Sequence, residues 1–522
     1  MGEAKLKEAK GEERLLSCAG VQTPSGRVQV RWDADGAATP MGQLAFFIEF
    51  LTLTGLWSSW QEGCPLGYSS PNAPSKAEVL GTWMLSILSG HRRYSHVTAI
   101  RCDGVNPGLL GMGKVISEDA LRRALLAIPE DRGREWLDGH LSDATAPLLD
   151  APWILDIDTT IKPLYGRQEG AAVSYNPKKP GRPSHSYHTY LMAGLRMVLG
   201  VEVKAGDEHS GCHSLPGLLK LLDSLPVERR PKIVRGDCGF GSDGIMRELE
   251  TRSQPYLFKL RLSKNVKRHI ERLFNVSGWT DAGQGWEGMD SELALTGWEG
   301  ARRVAVLRRP LQGEMLIAHE NDGQQWLGFI EADRKAGKRI TGYEYAVLVT
   351  NLEYEVRSLG QLYRDRADAE NAFDELKNQW GWGGFTTRDL HRCQLSARAV
   401  ALIYNWWSLF VRLANPKARR EAITSRPWLL SSVGRATSHA GQTTITITGQ
   451  HAYFNAAREA LIHVSSLLHA WSATAAEQLR LTSVWHLCCD HLKQSLAALD
   501  SSPPLSCLHN HANGVGQLPD LG

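Results

Sequence analysis

Trp153–Ile161, WILDIDTTI, is an apolar, β-branched run of the length of one buried strand. It carries two carboxylates, Asp156 and Asp158, which a period of two puts on one face. A carboxylate in such a run is costly to bury unless it is paired or bound to a cation, and either of the two could be the active one. Farther along, Ser186–Val203 holds two more apolar runs, around Leu191–Val198 and Val201–Val203, and Leu215–Leu225 has helical spacing. Lys232–Arg235 is a short strand that ends in GDCGFGSDG; Ile245–Arg252 reads as a helix and Tyr256–Leu262 as a strand. Three strands followed by alternating helices and strands predict a mixed α/β sheet. Asp237 then falls at the C-terminal end of a strand, where α/β proteins place ligands.

On either side the texture changes. Residues 1–33 are polar and read as a loose leader, whereas 40–150 look helical, with apolar spacing in Leu44–Leu56 and Val79–Leu88 and a capping signal at Ser117. This region fits either a helix-turn-helix or a plain helical bundle. Residues 275–352 are rich in Gly and Trp, and the runs Arg303–Leu307, Met315–Ala318, Trp326–Ile330 and Tyr345–Val349 predict an all-β insertion. Helix returns over Leu359–Lys377 and Ala397–Leu413, and the last 20 residues read as a disordered tail. The expected division is a helical N-terminal domain at 1–150, an α/β core at 151–274 and 353–415, the β-rich insertion at 275–352, and a mostly helical C-terminal region at 416–522.

The sharpest signal is LYRDRADAENAFDELK, Leu362–Lys377. On one continuous helix, at about 100° per residue, Tyr363, Arg366, Glu370 and Lys377 project from a stripe about 60° wide. That stripe would carry a ring, two cations and a carboxylate. An exposed helix with ordinary pairing of Arg366 and Glu370 is the alternative. With Asp158 and Asp237 the picture gains content: three acids on separate elements can hold two divalent cations about 3.5–4 Å apart. Oxygen ligands suit Mg²⁺ or Mn²⁺.

The pattern Y-x2-R-x3-E-x6-K at Tyr363, Arg366, Glu370 and Lys377 resembles the signature of a group of bacterial insertion-sequence transposases, cut-and-paste DDE enzymes. Asp158 in ILDIDTT is similar to the family's first Asp, Asp237 in VRGDCGF to its second, and Tyr165–His185 to the segment after the first Asp in one branch. The separation of 133 positions between Asp237 and Glu370 agrees with the family's β-rich insertion. The resemblance implies a ribonuclease-H-like, retroviral-integrase-like core. It also implies two Mg²⁺ ions (Mn²⁺ as substitute) on Asp158, Asp237 and Glu370, and cleavage at terminal inverted repeats followed by strand transfer into target DNA. Tyr363 would contact a displaced base, Arg366 and Lys377 would hold phosphates, and an insertion Trp would aid base flipping, with Trp279, Trp286 and Trp298 as candidates. A homodimer on double-stranded DNA, in a bacterial cytoplasm, is implied likewise. The basic loop Asn176–Pro183, with Lys178, Lys179 and Arg182, is expected to touch the DNA backbone. A nuclease of the same fold without strand transfer, or an inactive DNA-binding regulator, are the rivals.

Composition removes other classes. The chain has 522 residues, 42% hydrophobic and 22% charged, as in ordinary globular proteins. No run of about 18 uninterrupted apolar residues exists, so no membrane span is expected. Nine scattered cysteines make no disulfide framework and leave a reducing cytosol as the default. GFGSDG at Gly239–Gly244 mimics a dinucleotide loop but lacks the acid about 20 residues on. GLLGMGKV at Gly108–Val115 has Val115 where a phosphate loop needs Ser or Thr. Cys488, Cys489, His491, Cys507, His509 and His511 match no standard zinc spacing. A net charge of +3 is nearly neutral, yet it hides segregation: residues 157–272 hold 20 Lys+Arg against 12 Asp+Glu, and 273–300 hold five acids and no Lys or Arg.

Overall fold

A computed structural model describes residues 18–33, 36–68, 70–176, 179–310, 342–478 and 483–499. The hairpin β1 (Cys18–Thr23) and β2 (Gly26–Arg31) and the short β3 (Ala38–Thr39) come first. Five helices of eight residues or more follow: α1 (Leu44–Leu53), α2 (Leu56–Gly63), α3 (Lys76–Leu88), α4 (Glu118–Ala127) and α5 (Glu130–Thr145). Their ends obey local chemistry. Ser75 and Glu78 form a reciprocal capping box at α3, and Ser117 Oγ accepts the Ala120 N–H at α4.

The sheet region runs β4 (Ile154–Pro163), β5 (Ala172–Val173), β6 (Pro183–Met192), β7 (Met197–Ala205), α6 (Gly211–Ser224), β8 (Ile233–Gly236), α7 (Asp243–Thr251), β9 (Tyr256–Lys259) and α8 (Lys264–Leu273). It continues as β10 (Thr280–Gly283), β11 (Trp286–Leu293), β12 (Arg302–Pro310) and β13 (Tyr343–Thr350). Ten strands share one mixed sheet, in the order β10-β11-β12-β13-β9-β8-β4-β6, with β5 and β7 both on β6. Only β4 with β8 and β8 with β9 are parallel. Their register aligns Ile157, Gly236 and Phe258, so the next row across the three strands is Asp158, Asp237 and Lys259.

The remaining elements are α9 (Val356–Arg364), α10 (Ala367–Gln379), α11 (Leu390–Ala414), α12 (Ala422–Leu429), the hairpin β14 (Gly434–His439) and β15 (Gln442–Ile447), α13 (Phe454–Glu477) and α14 (Val484–Leu499). Every residue of α11 from Leu395 to Leu413 is buried. A helix covered on all sides lies in the core: β7 packs on one flank, and α1, α3, α4, α5 and α13 pack on the others.

Three local expectations change. Part of the polar leader is the β1–β2 hairpin, closed by Thr23 Oγ1 donating to Gly26 O (2.7 Å), with Gly26 at φ +120°. The β runs after residue 275 extend the main sheet, because β13 bonds to the open edge of β9, Leu348 opposite Lys259; Met315–Ala318 and Trp326–Ile330 lie outside the described residues. The helix expected over Leu359–Lys377 is two helices that meet at Asp365–Arg366. The cause is a side chain in the helical ladder. Arg235 Nη1 donates to Leu362 O, the carbonyl that the Arg366 N–H would otherwise use, and Arg366 N turns to Tyr363 O at 3.1 Å.

Candidate active site

The buried strand β4 resolves its two acids differently. Asp156 accepts a bidentate pair from Arg235, 2.7 Å from both Nε and Nη2, with both side chains almost fully buried. This fork-to-fork bond uses the carboxylate's capacity. Burial pushes the Asp156 carboxyl up, and Arg235 opposes that. Asp158, one turn of the pleat farther on, instead faces the α9–α10 junction.

There Arg366 bridges two elements. Its Nη2 lies 3.3 Å from Asp158 Oδ1 and its Nη1 lies 3.0 Å from Glu370 Oε1. Arg366 itself is buried, whereas Glu370, in the first turn of α10, is largely exposed. Burial works against the Arg366 cation, but Asp158, Tyr363, Asp156 and Asp237 together carry its pKa above the usual value. Burial likewise raises the Asp158 carboxyl, Arg366 and Lys377 oppose this, and Asp237 adds to it. Asp237, just past β8, accepts the Gly239 N–H at 2.9 Å in a tight turn. Tyr363 is half-buried; burial, with Asp237 and Glu370 near, pushes its phenol up to about 12. Lys377 is exposed, yet its charge acts on Asp158.

Asp158, Asp237, Tyr363, Arg366, Glu370 and Lys377 thus gather at one place, although the helix carrying four of them is broken. Among the described residues no three His, Cys, Asp or Glu side chains stand close enough to hold a metal ion as they are. The donor chemistry nevertheless fits a hard divalent cation: the Asp158 and Glu370 oxygens already converge on a positive charge, the Arg366 guanidinium, and Asp237 is within electrostatic reach of Asp158.

The other expected residues lie apart or on cation–ring contacts. Lys179 and Arg182 both stack on Tyr165, 4.9 and 4.8 Å from its centroid, and Lys178 lies outside the described residues. Each of the three candidate tryptophans sits under an arginine: Trp279 under Arg308 (3.9 Å), Trp286 under Arg309 (4.8 Å) and Trp298 under Arg302 (5.3 Å). Arg302 also donates to Asp243 and Glu250 of α7 at 2.7 Å. Trp298 is therefore tied to the helix that follows the Asp237 loop.

Two residues escape a reading of the sequence. Arg235 bends the α9–α10 junction; a cation opposite an acid in two neighbouring buried strands was its only signal. Arg196, on the β6–β7 turn at φ +55°, donates Nε to Asp368 Oδ1 (2.8 Å) and so anchors the first turn of α10; nothing in the local sequence announces that contact. The three decoys carry no chemistry of their own. Gly239–Gly244 is the Asp237 turn and the start of α7, and Gly108–Val115 begins inside the single helical turn Asn106–Leu109 of the helical region. Cys488 and Cys489 are buried thiols whose pKa values burial raises, while Cys507, His509 and His511 lie outside the described residues. No described helix is long and apolar enough to cross a membrane.

Residues 150–406 match the family model of the transposase DDE domain. Among solved structures, the piggyBac transposase synaptic complex with hairpin DNA, seen by cryo-EM, is similar over 88% of this chain and 88% of its own, at 11% identity and a TM-score of 0.37. That likeness is too slight to bear on function. No curated protein matches the chain. The matched span begins just before β4 and ends within α11, and so encloses all six gathered residues. Over residues 150–406 this chain is similar to the transposase DDE domain.

Proposed function

We propose that the protein is a cut-and-paste DNA transposase of the insertion-sequence type, with Asp158, Asp237 and Glu370 as its catalytic carboxylates. The observation that carries this is the bridge of Arg366 between Asp158 on β4 and Glu370 on α10, beside Asp237 at the end of β8. The central order β7-β6-β4-β8-β9, antiparallel on one side of β4 and parallel on the other, supports a ribonuclease-H-like core. Two Mg²⁺ ions, or Mn²⁺ in their place, held by the three acids would activate a water or 3′-hydroxyl and offset charge at the reacting phosphate.

The chain's own groups do the rest. Arg366 pairs with both Asp158 and Glu370 and offsets their negative charge. Tyr363, protonated throughout the neutral range, is free to stack on a base or donate to a phosphate. Arg366 and Lys377 hold backbone phosphates on the same side, and the Lys178, Lys179 and Arg182 loop adds contacts that are blind to sequence. Trp298 is the preferred wedge because Arg302 ties it to α7. The substrates are terminal inverted repeats and target duplex, bridged by a homodimer in a bacterial cytoplasm.

The test is a duplex bearing an end of the element that flanks the coding region, incubated with Mg²⁺. The wild type nicks the end and joins it to target DNA. Asp158→Asn, Asp237→Asn and Glu370→Gln each lower product by about 10³-fold or more while retaining DNA binding. Wild-type rates in those variants would overturn the assignment. Cleavage without joining would identify a nuclease instead.

A further inference from the structure

Helix α8, Lys264–Leu273, sorts its residues by side. Val266 and Ile270 are buried, whereas Lys264, Arg268 and Arg272, four residues apart, are exposed. At about 100° per residue these three cations fall within about 80° of one another. Arg261, just before the helix, is exposed as well. Among the described residues none of the four makes an ion pair, although most arginines nearby do: Arg302, Arg303 and Arg308 each hold a carboxylate. Four cations with no ion pair among the described residues repel one another on one short segment, and an anionic partner removes that cost.

The segment starts beside the acids. Lys259 ends β9 in the same row as Asp158 and Asp237, on the adjacent parallel strand. The loops touch: a Cβ on Gly241 would lie 2.9 Å from Leu260 Cδ2 and 3.2 Å from Lys259 O. The Asp237–Ser242 turn therefore rests directly on the connection that leads into α8. From Lys264 to Arg272 the helix rises about 12 Å, over which one DNA strand presents three or four phosphates at about 3.4 Å per charge along the axis. Ser263 Oγ caps the helix by accepting the Val266 N–H, which fixes where the row begins.

We infer that Arg261, Lys264, Arg268 and Arg272 form a phosphate-binding ridge that holds the backbone of duplex DNA as it runs away from the cut. This rests on the transposase reading above, and its test separates the two. Binding of a short duplex of arbitrary sequence is measured across a salt series, for the wild type and for the quadruple variant Arg261→Gln, Lys264→Gln, Arg268→Gln, Arg272→Gln. The expected result is a log K against log salt slope shallower by about 0.9 per lost contact, or about three in all. A charge-preserving quadruple variant (Arg261→Lys, Lys264→Arg, Arg268→Lys, Arg272→Lys) is expected to keep the wild-type slope. An unchanged slope in the glutamine variant, with the wild type binding normally, overturns the ridge alone. An equal loss in the charge-preserving variant also overturns it, because the effect would then be one of shape. A wild type that shows no salt-dependent binding overturns the ridge and the transposase reading together.

Discussion

Asp156 and Asp158 stand two residues apart on one strand and meet different fates, because only one finds a buried guanidinium in register. Asp156 and Arg235 illustrate the asymmetry of buried ion pairs: removing one partner strands the other. Arg235→Met is therefore expected to destabilise the protein by about 3–5 kcal/mol in urea unfolding, while Asp156→Leu combined with Arg235→Met recovers most of that loss. A cost below about 1 kcal/mol for the single change would show that the pair is solvated in solution. His188 gives a prediction in pH. Its Nδ1 meets Ser214 Oγ, its Nε2 meets Glu208 O, and burial lowers its pKa from 6.5 to about 4. The folded protein keeps it neutral while the unfolded chain takes up a proton below pH 6.5. Its contribution is thus complete above that pH and is lost as pH falls toward 4, by about 3 kcal/mol at most. Replacing His188 by Gln is expected to flatten that part of the stability–pH curve.

At the scale of elements, the α9–α10 break brings Arg366 inward. On an unbroken helix the Leu362 carbonyl would take the Arg366 N–H; with Arg235 there instead, the chain turns and Arg366 becomes the N-cap residue of α10. The other end of α10 is fixed by a different device. After Trp380 the chain makes a tight turn in which Gly381 has φ +66°, and a Cβ there would lie 2.4 Å from His91 O. Both the left-handed backbone and the backbone contact exclude a side chain. Gly381→Ala is expected to cost about 2–3 kcal/mol and to lower the thermal midpoint. Gly441→Ala is the control: φ is +79° but nothing lies within 4 Å, so the cost should stay near 1 kcal/mol. Equal losses at the two sites would mean that the His91 contact plays no part.

In the whole molecule, α11 joins the helical N-terminal region to the sheet. Asn405 bonds both the N–H and the C=O of Val198 on β7, at 2.9 and 2.8 Å. The same helix presents Trp406 edge-on to Trp60 (5.4 Å) and Trp407 to Phe47 (5.2 Å), and Arg398 bonds Asp138 at 2.8 Å. A fully buried aromatic contributes roughly 1.5–3 kcal/mol, so the sheet side of the molecule loses several such terms without α1, α2 and α5. A chain starting at Ala151 is accordingly expected to show no cooperative thermal transition and to bind a hydrophobic dye. A sharp melt near that of the full chain would show that the sheet half folds independently.

The chain itself determined the parts whose signal is local. Apolar β-branched runs mark β4 and β8, an aromatic and aliphatic run marks β9, helical spacing marks α6, α7 and α11, and the spacing of Tyr363, Arg366, Glu370 and Lys377 marks the candidate site. These patterns are legible because side-chain period and backbone geometry act over a few residues. The tertiary structure decided the rest. It paired Asp156 with Arg235 and left Asp158 to Arg366, since only a parallel register brings Arg235 against one of them. It broke one helix into two, since the interrupting group comes from another strand. It attached the later strands to the edge of β9 and wrapped α11 on every side. Each of those outcomes depends on which distant residue reaches a buried polar group or an open sheet edge, and the cost of leaving such a group unpaired is settled only once the whole chain has packed.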